Sequence, residues 1–215
     1  MASKNYIVLK ERLTFSEEKD YKVKALSAGL ERCGVKGIGE IAADIPALQN
    51  IPVNNKADRV RAIATYLAGG LWPRTIDQRQ LAPLTDLVVP TGLDDWLTAA
   101  LAVVGNPYSC FQAVPAPQTI QGKLLVLWGI SVETVPIPVS RLIIRKGGAA
   151  GNILAQYDLQ ELAVAENAVA VFSEPVVIDP QDIFAVQVRA SIATNAAARV
   201  YIHNYLFENA GQVIA

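Results

Sequence analysis

His203 is the only histidine in the 215 residues, and any Ser-His-Asp or Cys-His catalysis would have to use it. It lies between Ile202 and Asn204 in an alternating apolar run, and no nucleophile-elbow motif occurs anywhere in the chain. A structural histidine on a strand is therefore the favoured reading. Cys33 and Cys110 are too few for a disulfide scaffold, and their spacing is not that of a metal site. They read as two buried free thiols of a reducing cytoplasm. Glu133, Asp158, Glu161, Glu174, Asp179 and Asp182 could in principle supply the acid pair of a glycan hydrolase. Most stand beside turn residues, where acids are common, so a solvated loop role is expected for them. There is no Walker A loop and no HExxH. The chain offers no catalytic set, no cofactor motif and no metal-binding spacing, and a non-enzymatic role is expected.

Two other groups could bind rather than react. Val35–Ala43 reads VKGIGEIAA, and Gly37-Ile38-Gly39 followed by Ala42 resembles the hairpin of helix-hairpin-helix nucleic-acid-binding proteins. There a small turn lets backbone amides approach a phosphate. Pro46 cuts the second helix short, no second copy follows, and Lys36 is the only cation in the turn, so a glycine-rich connection is favoured. Arg59, Arg61, Arg74 and Arg79 could form a basic face, but Asp58 and Asp77 are interleaved. That pattern suits a solvated or inter-subunit salt-bridge surface better than a nucleic-acid groove. Net charge is −1 and the sequence pI about 5.9, which gives no general attraction to polyanions or anionic membranes.

Composition bears on partners. Hydrophobic residues make up 52% and charged residues 18%, and mean hydropathy is +0.27. A surface this lightly charged favours self-association or docking on a larger assembly. Membrane insertion is not expected. Uncharged runs such as Trp96–Gln121 are broken by Gly105, Asn106 and three prolines, and none is a continuous apolar span of about 20 residues. The first residues, MASKNYIVLKERL, lack the basic-then-apolar pattern of a signal peptide.

The elements that must position these residues fall into an α+β arrangement. Residues 1–106 are expected to form a mainly helical, mixed region, 107–122 a link, and 123–215 an antiparallel β-sandwich. Tyr6–Leu9 is a strand or an extended arm. Ser16 caps a first helix, Glu17 and Glu18 charge its first turn, and Val23, Leu26, Leu30 and Cys33 form its apolar stripe, with Gly34 closing it. Asn55 caps a second, whose stripe is Val60, Ile63, Ala64 and Leu67 and whose end is Gly69-Gly70. Leu71–Pro90, with three prolines, reads as an irregular connection. A third helix is expected from near Leu93, burying Trp96, Leu97, Ala100, Leu101 and Val104.

The remainder reads as six strands: Lys123–Glu133, Val139–Arg145, Asn152–Leu159, Val169–Ile178, Ile183–Ala190 and Arg199–Phe207. Turn signals separate them at Gly147-Gly148, at Asp179-Pro180-Gln181-Asp182 and at Thr194-Asn195. Pro136 and Pro138 exclude Val135–Val139 from a central strand and set a bend there. Leu159–Ala168 is compatible with a helical turn or with strand.

The phrases RLIIRKG (Arg141–Gly147), NILAQYDL (Asn152–Leu159) and SEPVVIDPQDIFAVQV (Ser173–Val188) resemble those of jelly-roll β-sandwiches in virion proteins. Among these are decoration and cement proteins of tailed-bacteriophage heads and some fibre tips. The resemblance covers about 40% of the chain. It implies a homo-oligomer, usually a trimer, bound to a major capsid protein or another virion protein. The location implied is the virion, assembled in the host cytoplasm. It implies no catalytic residues and no cofactor. Trp72, Trp96 and Trp128 are the candidate interface anchors, each also explicable as core, with Arg59 and Arg61 as charged candidates. A carbohydrate- or receptor-binding module is the alternative, and it predicts aromatics grouped on the loops, for instance Tyr157 with Trp128 or Tyr201. A nucleic-acid-binding protein built on Gly37–Gly39 is the second alternative.

Overall fold

The computed structural model describes residues 6–9, 15–33, 56–68, 76–79, 81, 86–88, 97–110, 118–119, 123–134, 136–160, 162 and 169–209. Within them the chain forms β1 (Tyr6–Leu9), α1 (Phe15–Cys33), α2 (Lys56–Ala68), β2 (Ile76–Arg79), β3 (Leu87–Val88), β4 (Leu97–Ala100) and β5 (Pro107–Ser109). There follow β6 (Gln118–Thr119), β7 (Leu124–Val132), β8 (Val139–Lys146), β9 (Asn152–Asp158), β10 (Val169–Ile178), β11 (Phe184–Ala190) and β12 (Ala197–Asn209).

The strands build an antiparallel β-sandwich. The larger sheet has the order β1-β10-β7-β12-β2, with β4 also paired to β12, and the smaller has the order β5-β11-β8-β9. β3 and β6 pair by themselves. All six predicted β-runs are strands, with ends shifted by a residue or two. They were legible because uncharged β-branched runs bounded by turn residues leave few other solutions. The expected turns are present as well. Gly147 and Gly148 take positive φ, and in the Asp179–Asp182 turn it is Gln181 that does so, at 66°.

The two sheets face each other across one apolar layer. Leu125, Leu127, Ile130 and Val132 of β7 and Val200, Ile202 and Leu206 of β12 meet Leu142 and Ile144 of β8 and Phe184, Val186 and Val188 of β11. Tyr157 closes one side of this layer by stacking on Phe172, with ring centroids 4.1 Å apart and planes 6° from parallel. Burial pushes its hydroxyl up to about 12. Tyr157 is thus core, and it does not join Trp128 or Tyr201 in a loop cluster as the receptor-binding alternative expected.

A second apolar cluster lies on the far face of the larger sheet. Ala25, Leu26 and Leu30 of α1 and Val60, Ile63 and Ala64 of α2 pack on Leu124, Val126, Tyr205 and Phe207. Leu26 and Leu30 of the first expected stripe and Val60, Ile63 and Ala64 of the second are therefore buried, at about 1.5–3 kcal/mol for each large side chain removed from water, while the side chains of Cys33 and Leu67 lie outside the described residues. α1 starts at Phe15, so Ser16 is inside its first turn and does not precede it. Such ends vary by a residue or two.

Among the described residues the region 1–106 is mixed, with the two helices α1 and α2 beside the short strands β1 to β4. The third helix is absent there, because Leu97–Ala100 is β4, paired with Ala197–Arg199 of β12. Thr98 is buried, and its Oγ1 accepts the Ala198 N–H at 2.9 Å. The periodicity at Trp96–Val104 suited a helix equally well, and the pairing with β12, which no local pattern reveals, decides for a strand. Val104, expected on the buried stripe, is an exposed turn residue. Leu71–Pro90 also holds regular structure, since β2 pairs Ile76–Arg79 with the far end of β12. The head of the expected link, Pro107–Ser109, is β5, paired with β11.

Gly29 gives a direct test of the helix-on-sheet packing. A Cβ there would lie 2.4 Å from Cε2 of Phe207, a ring that is itself buried. In an exposed helix Gly→Ala gains about 1 kcal/mol. Here overpacking reverses the sign, and Gly29→Ala should destabilise the fold by about 1–3 kcal/mol in urea unfolding.

Candidate functional site

Among the sequence candidates, the structure describes the side chains of Trp128 and Arg61. Trp72, Trp96, Arg74 and the Gly37–Gly39 turn lie outside the described residues, as do the side chains of Arg59 and Arg79. Arg61 is exposed on α2. Trp128 occupies an irregularity of β7, for Gly129 is opposite His203 and Leu127 is opposite Asn204, leaving Trp128 as the extra residue of a bulge. The bulge keeps Leu127 and Ile130 both facing the sandwich core and turns Trp128 outward.

There it joins a row of rings along β12. The Trp128 and His203 centroids are 4.9 Å apart, Tyr201 meets His203 edge-on at 5.0 Å, and Trp128 stacks loosely on Tyr205 at 6.0 Å. Gly129 makes the row possible, because a Cβ at that position would come within 3.3 Å of His203 Cδ2 and 3.0 Å of the Ala170 carbonyl oxygen. His203 is thus a half-buried strand residue packed between aromatic rings, as its sequence context suggested. Tyr201 has its hydroxyl pKa raised, first by burial and then by the Glu133 charge. The Nε1 of Trp128 is buried and finds no acceptor among the described residues. Spacing alone could not give Gly129 a role, since the bulge exists only once β12 is paired.

The acidic residues of the β region are engaged by cations or amides. Asp179 receives a two-pronged contact from Arg32 of α1, at 2.6 and 2.7 Å. The hydrogen bond from Arg32 holds the Asp179 carboxyl below its ordinary range, against an opposing effect of burial. Glu174 pairs with Lys24 at 2.8 Å, and the same ammonium donates to the Ser173 carbonyl. Asp182 pairs with Lys146 at 2.6 Å, Glu133 approaches Arg199 at 3.8 Å, and Asp158 accepts the Gln160 N–H. These contacts latch α1 to β10 and to the turn after it. They do not assemble a pair of free carboxylates. Glu161 lies outside the described residues.

Sequence reasoning missed one ion pair altogether. Lys123 and Asp86 meet at 2.8 Å with side-chain exposures of 11% and 0%. A pair so removed from water holds the segment before β3 against the start of β7, and breaking one from a single side costs about 3–5 kcal/mol. Cys110 is buried at the end of β5, and burial pushes its thiol pKa up, which makes it inert. Among the described residues no group of three or more His, Cys, Asp or Glu could hold a metal ion. No helix among them is long and apolar enough to cross a membrane.

Exposed large apolar residues stand at both ends of the sandwich, Ile153, Leu154 and Ile183 at the end of the β8–β9 and β10–β11 turns and three more at the other. Val103 and Val104, in the β4–β5 turn, are 51% and 57% exposed, and Ile192, in the β11–β12 turn, is 45% exposed. Backbone hydrogen bonds lock these turns together. Gly105 N–H donates to Ala190 O at 2.8 Å, Thr194 N–H to Leu101 O at 2.7 Å, and Ser191 N–H to Pro138 O at 2.8 Å. Neither Ala102–Asn106 nor Ser191–Ala198 contains a charged residue. The tip is therefore rigid, apolar and uncharged, which suits the centre of a protein interface. Comparison with protein-family models, with curated proteins and with solved structures found no match to this chain.

The Arg32 latch predicts a pH dependence. Because the folded-state pKa of Asp179 is lowered, its contribution is fully present above the unfolded value of about 3.9 and is lost as pH falls through the folded value. Arg32→Gln should lower the urea midpoint at neutral pH, and the gap to the unmodified protein should close as pH drops below about 4. A gap that stayed constant with pH would show that the latch is not electrostatic.

Proposed function

We propose that this chain is a structural virion protein, a capsid-associated decoration or cement protein that self-assembles and binds a capsid lattice. The observation that carries the reading is the strand order. Counting β4, β5 and β7 to β12 as strands one to eight, the larger sheet contains 1-8-3-6 and the smaller 2-7-4-5. We read this order as an eight-stranded jelly roll of two Greek keys, the architecture of many viral capsid and lectin domains. The fold alone does not fix a function, so the surface has to contribute. The locked tip of Val103, Val104 and Ile192 supports assembly. Identical tips brought together about a symmetry axis meet without like-charge repulsion. On this reading the partners are further copies of the chain, as trimers, and a major capsid protein.

A second reading has its own observation. The Tyr201–His203–Trp128 row lies on a sheet face, and Trp128 carries a buried indole N–H without an acceptor among the described residues. Sugars are held by such rings and donors, and a glycan or host-receptor module would use them. A glycan array separates the two readings. Binding that is lost in Trp128→Ala would favour the module, and a blank array favours assembly.

The assembly reading is tested by sedimentation at micromolar concentration, with electron microscopy of the sedimenting species. The unmodified chain should sediment as a closed oligomer. Val104→Asp with Ile192→Asp should sediment as a single protomer while keeping its unfolding free energy in urea within about 0.5 kcal/mol, since both residues are exposed. A monomer that also fails to decorate capsid particles would overturn the proposal.

A further inference from the structure

The outward face of the smaller sheet, the one turned away from the apolar layer, carries three arginines in a defined register, and its middle is buried, with Ile143 and Ala185 2% and Gln187 7% exposed. Arg189 of β11 stands directly opposite Arg141 of β8, which in turn stands opposite Asp158 of β9. Two positions along, Gln187 faces Ile143 and Gln156, and beyond them Ala185 faces Arg145 and Ile153. Residues directly opposite on adjacent strands hold their Cβ atoms about 4.5–5.5 Å apart, and like charges so placed are destabilising.

The arginines are treated differently by the chain. Arg145 is satisfied, its Nε donating to Gln187 Oε1 at 3.1 Å and its NH1 to the Gly151 carbonyl at 2.8 Å. Arg141 and Arg189 are both half-buried, yet neither guanidinium makes a hydrogen bond or ion pair with the described residues. The Nε of Arg189 is buried and has no acceptor. Asp158, across from Arg141, accepts the Gln160 N–H at 3.1 Å and makes no ion pair with that arginine. A guanidinium brings five donors in a fixed fork and no acceptor, so two of them side by side ask for an anion with several oxygens.

We propose that Arg141 and Arg189 form an oxyanion-binding site on the outward face of the smaller sheet, taking a carboxylate or a phosphate group. The neutral donor Gln187 lies next to Arg189 on that face. The source of the oxyanion is either a free inorganic ion or an acidic side chain of a second copy. The site adjoins the apolar tip, because Arg189 is followed by Ala190 and by the Ser191–Ala196 turn that carries Ile192. It does not depend on the assembly reading, since a small anion can occupy it in a single protomer.

The test is calorimetric titration of the full chain with inorganic phosphate, and separately with acetate, at ionic strength held constant with chloride. Saturable binding of at least one probe is expected. Losing one charge-assisted contact should weaken it about tenfold or more in Arg141→Gln and in Arg189→Gln, while Arg61→Gln, on the exposed face of α2, leaves it unchanged. Thermal unfolding in chloride alone gives a second readout. Arg189→Gln removes a like charge and a stranded donor, so its midpoint should rise, whereas replacing an arginine that held the fold together would lower it. No saturable binding of either probe, equal binding by the variants, or a lowered midpoint in both arginine variants would overturn the proposal. Sedimentation with and without phosphate then separates the sources. Phosphate that dissociates an oligomer assigns the site to a carboxylate of a second copy, and phosphate binding without dissociation assigns it to the free ion. Failure of the titration leaves the tip variants free to decide assembly by themselves.

Discussion

Two apolar clusters share the backbone of β7 and β12, and the rest of the molecule is arranged by that sharing. Along β7 the even and odd side chains serve different neighbours, Leu125 and Leu127 the facing sheet and Leu124 and Val126 the helices. β12 divides its residues in the same way, with Leu206 inward and Tyr205 and Phe207 under α1 and α2. A strand buried on both faces tolerates no register slip, because sliding by one residue would exchange the two sets. It also explains why KLLVLWGISV reads as an almost unbroken apolar run and not as an alternation. The bulge at Trp128 is the one place where this phase is reset, and the aromatic row stands there.

The two ends of the sandwich differ in chemistry. One carries the turns after β8 and β10, where Arg32–Asp179 and Lys146–Asp182 form two ion pairs beside the exposed Ile153, Leu154 and Ile183. The other carries Val103, Val104 and Ile192, with Glu133 and Arg199 only at its margin. Charged turns remain hydrated at little cost, and an apolar tip locked by backbone hydrogen bonds does not. The ends therefore differ in charge, while both carry exposed apolar residues.

How much of this was legible depended on whether the information was local. Strand runs and helix stripes were, since period and turn chemistry are carried by neighbouring residues. β4 was not, because Leu97–Ala100 is too short for its period to exclude a helix and its pairing with β12 is a tertiary fact. Tyr157 resembled a loop aromatic in sequence, yet it faces Phe172, a neighbour on another sheet. The Lys123–Asp86 pair and the Arg141–Arg189 opposition were hidden for the same reason. Each involves residues whose separation in sequence carries no sign of their meeting, and only the register of the sheets brings them together. The place of the lone histidine on a strand was legible because its flanking alternation was enough.

β12 comes after all the other described strands in the chain and yet lies inside the larger sheet, paired with β7, β2 and β4. During synthesis the helices and β1, β2 and β4 therefore emerge long before the surface they need. Leu26, Leu30 and Ile63 have only half of their seat until Tyr205 and Phe207 leave the ribosome. Such non-local closure is slow, and it exposes strand edges while it waits. A nascent chain of this topology is most vulnerable to misassembly just before its final strand is released, and a truncation that removes β12 would unseat two helices, not trim an edge.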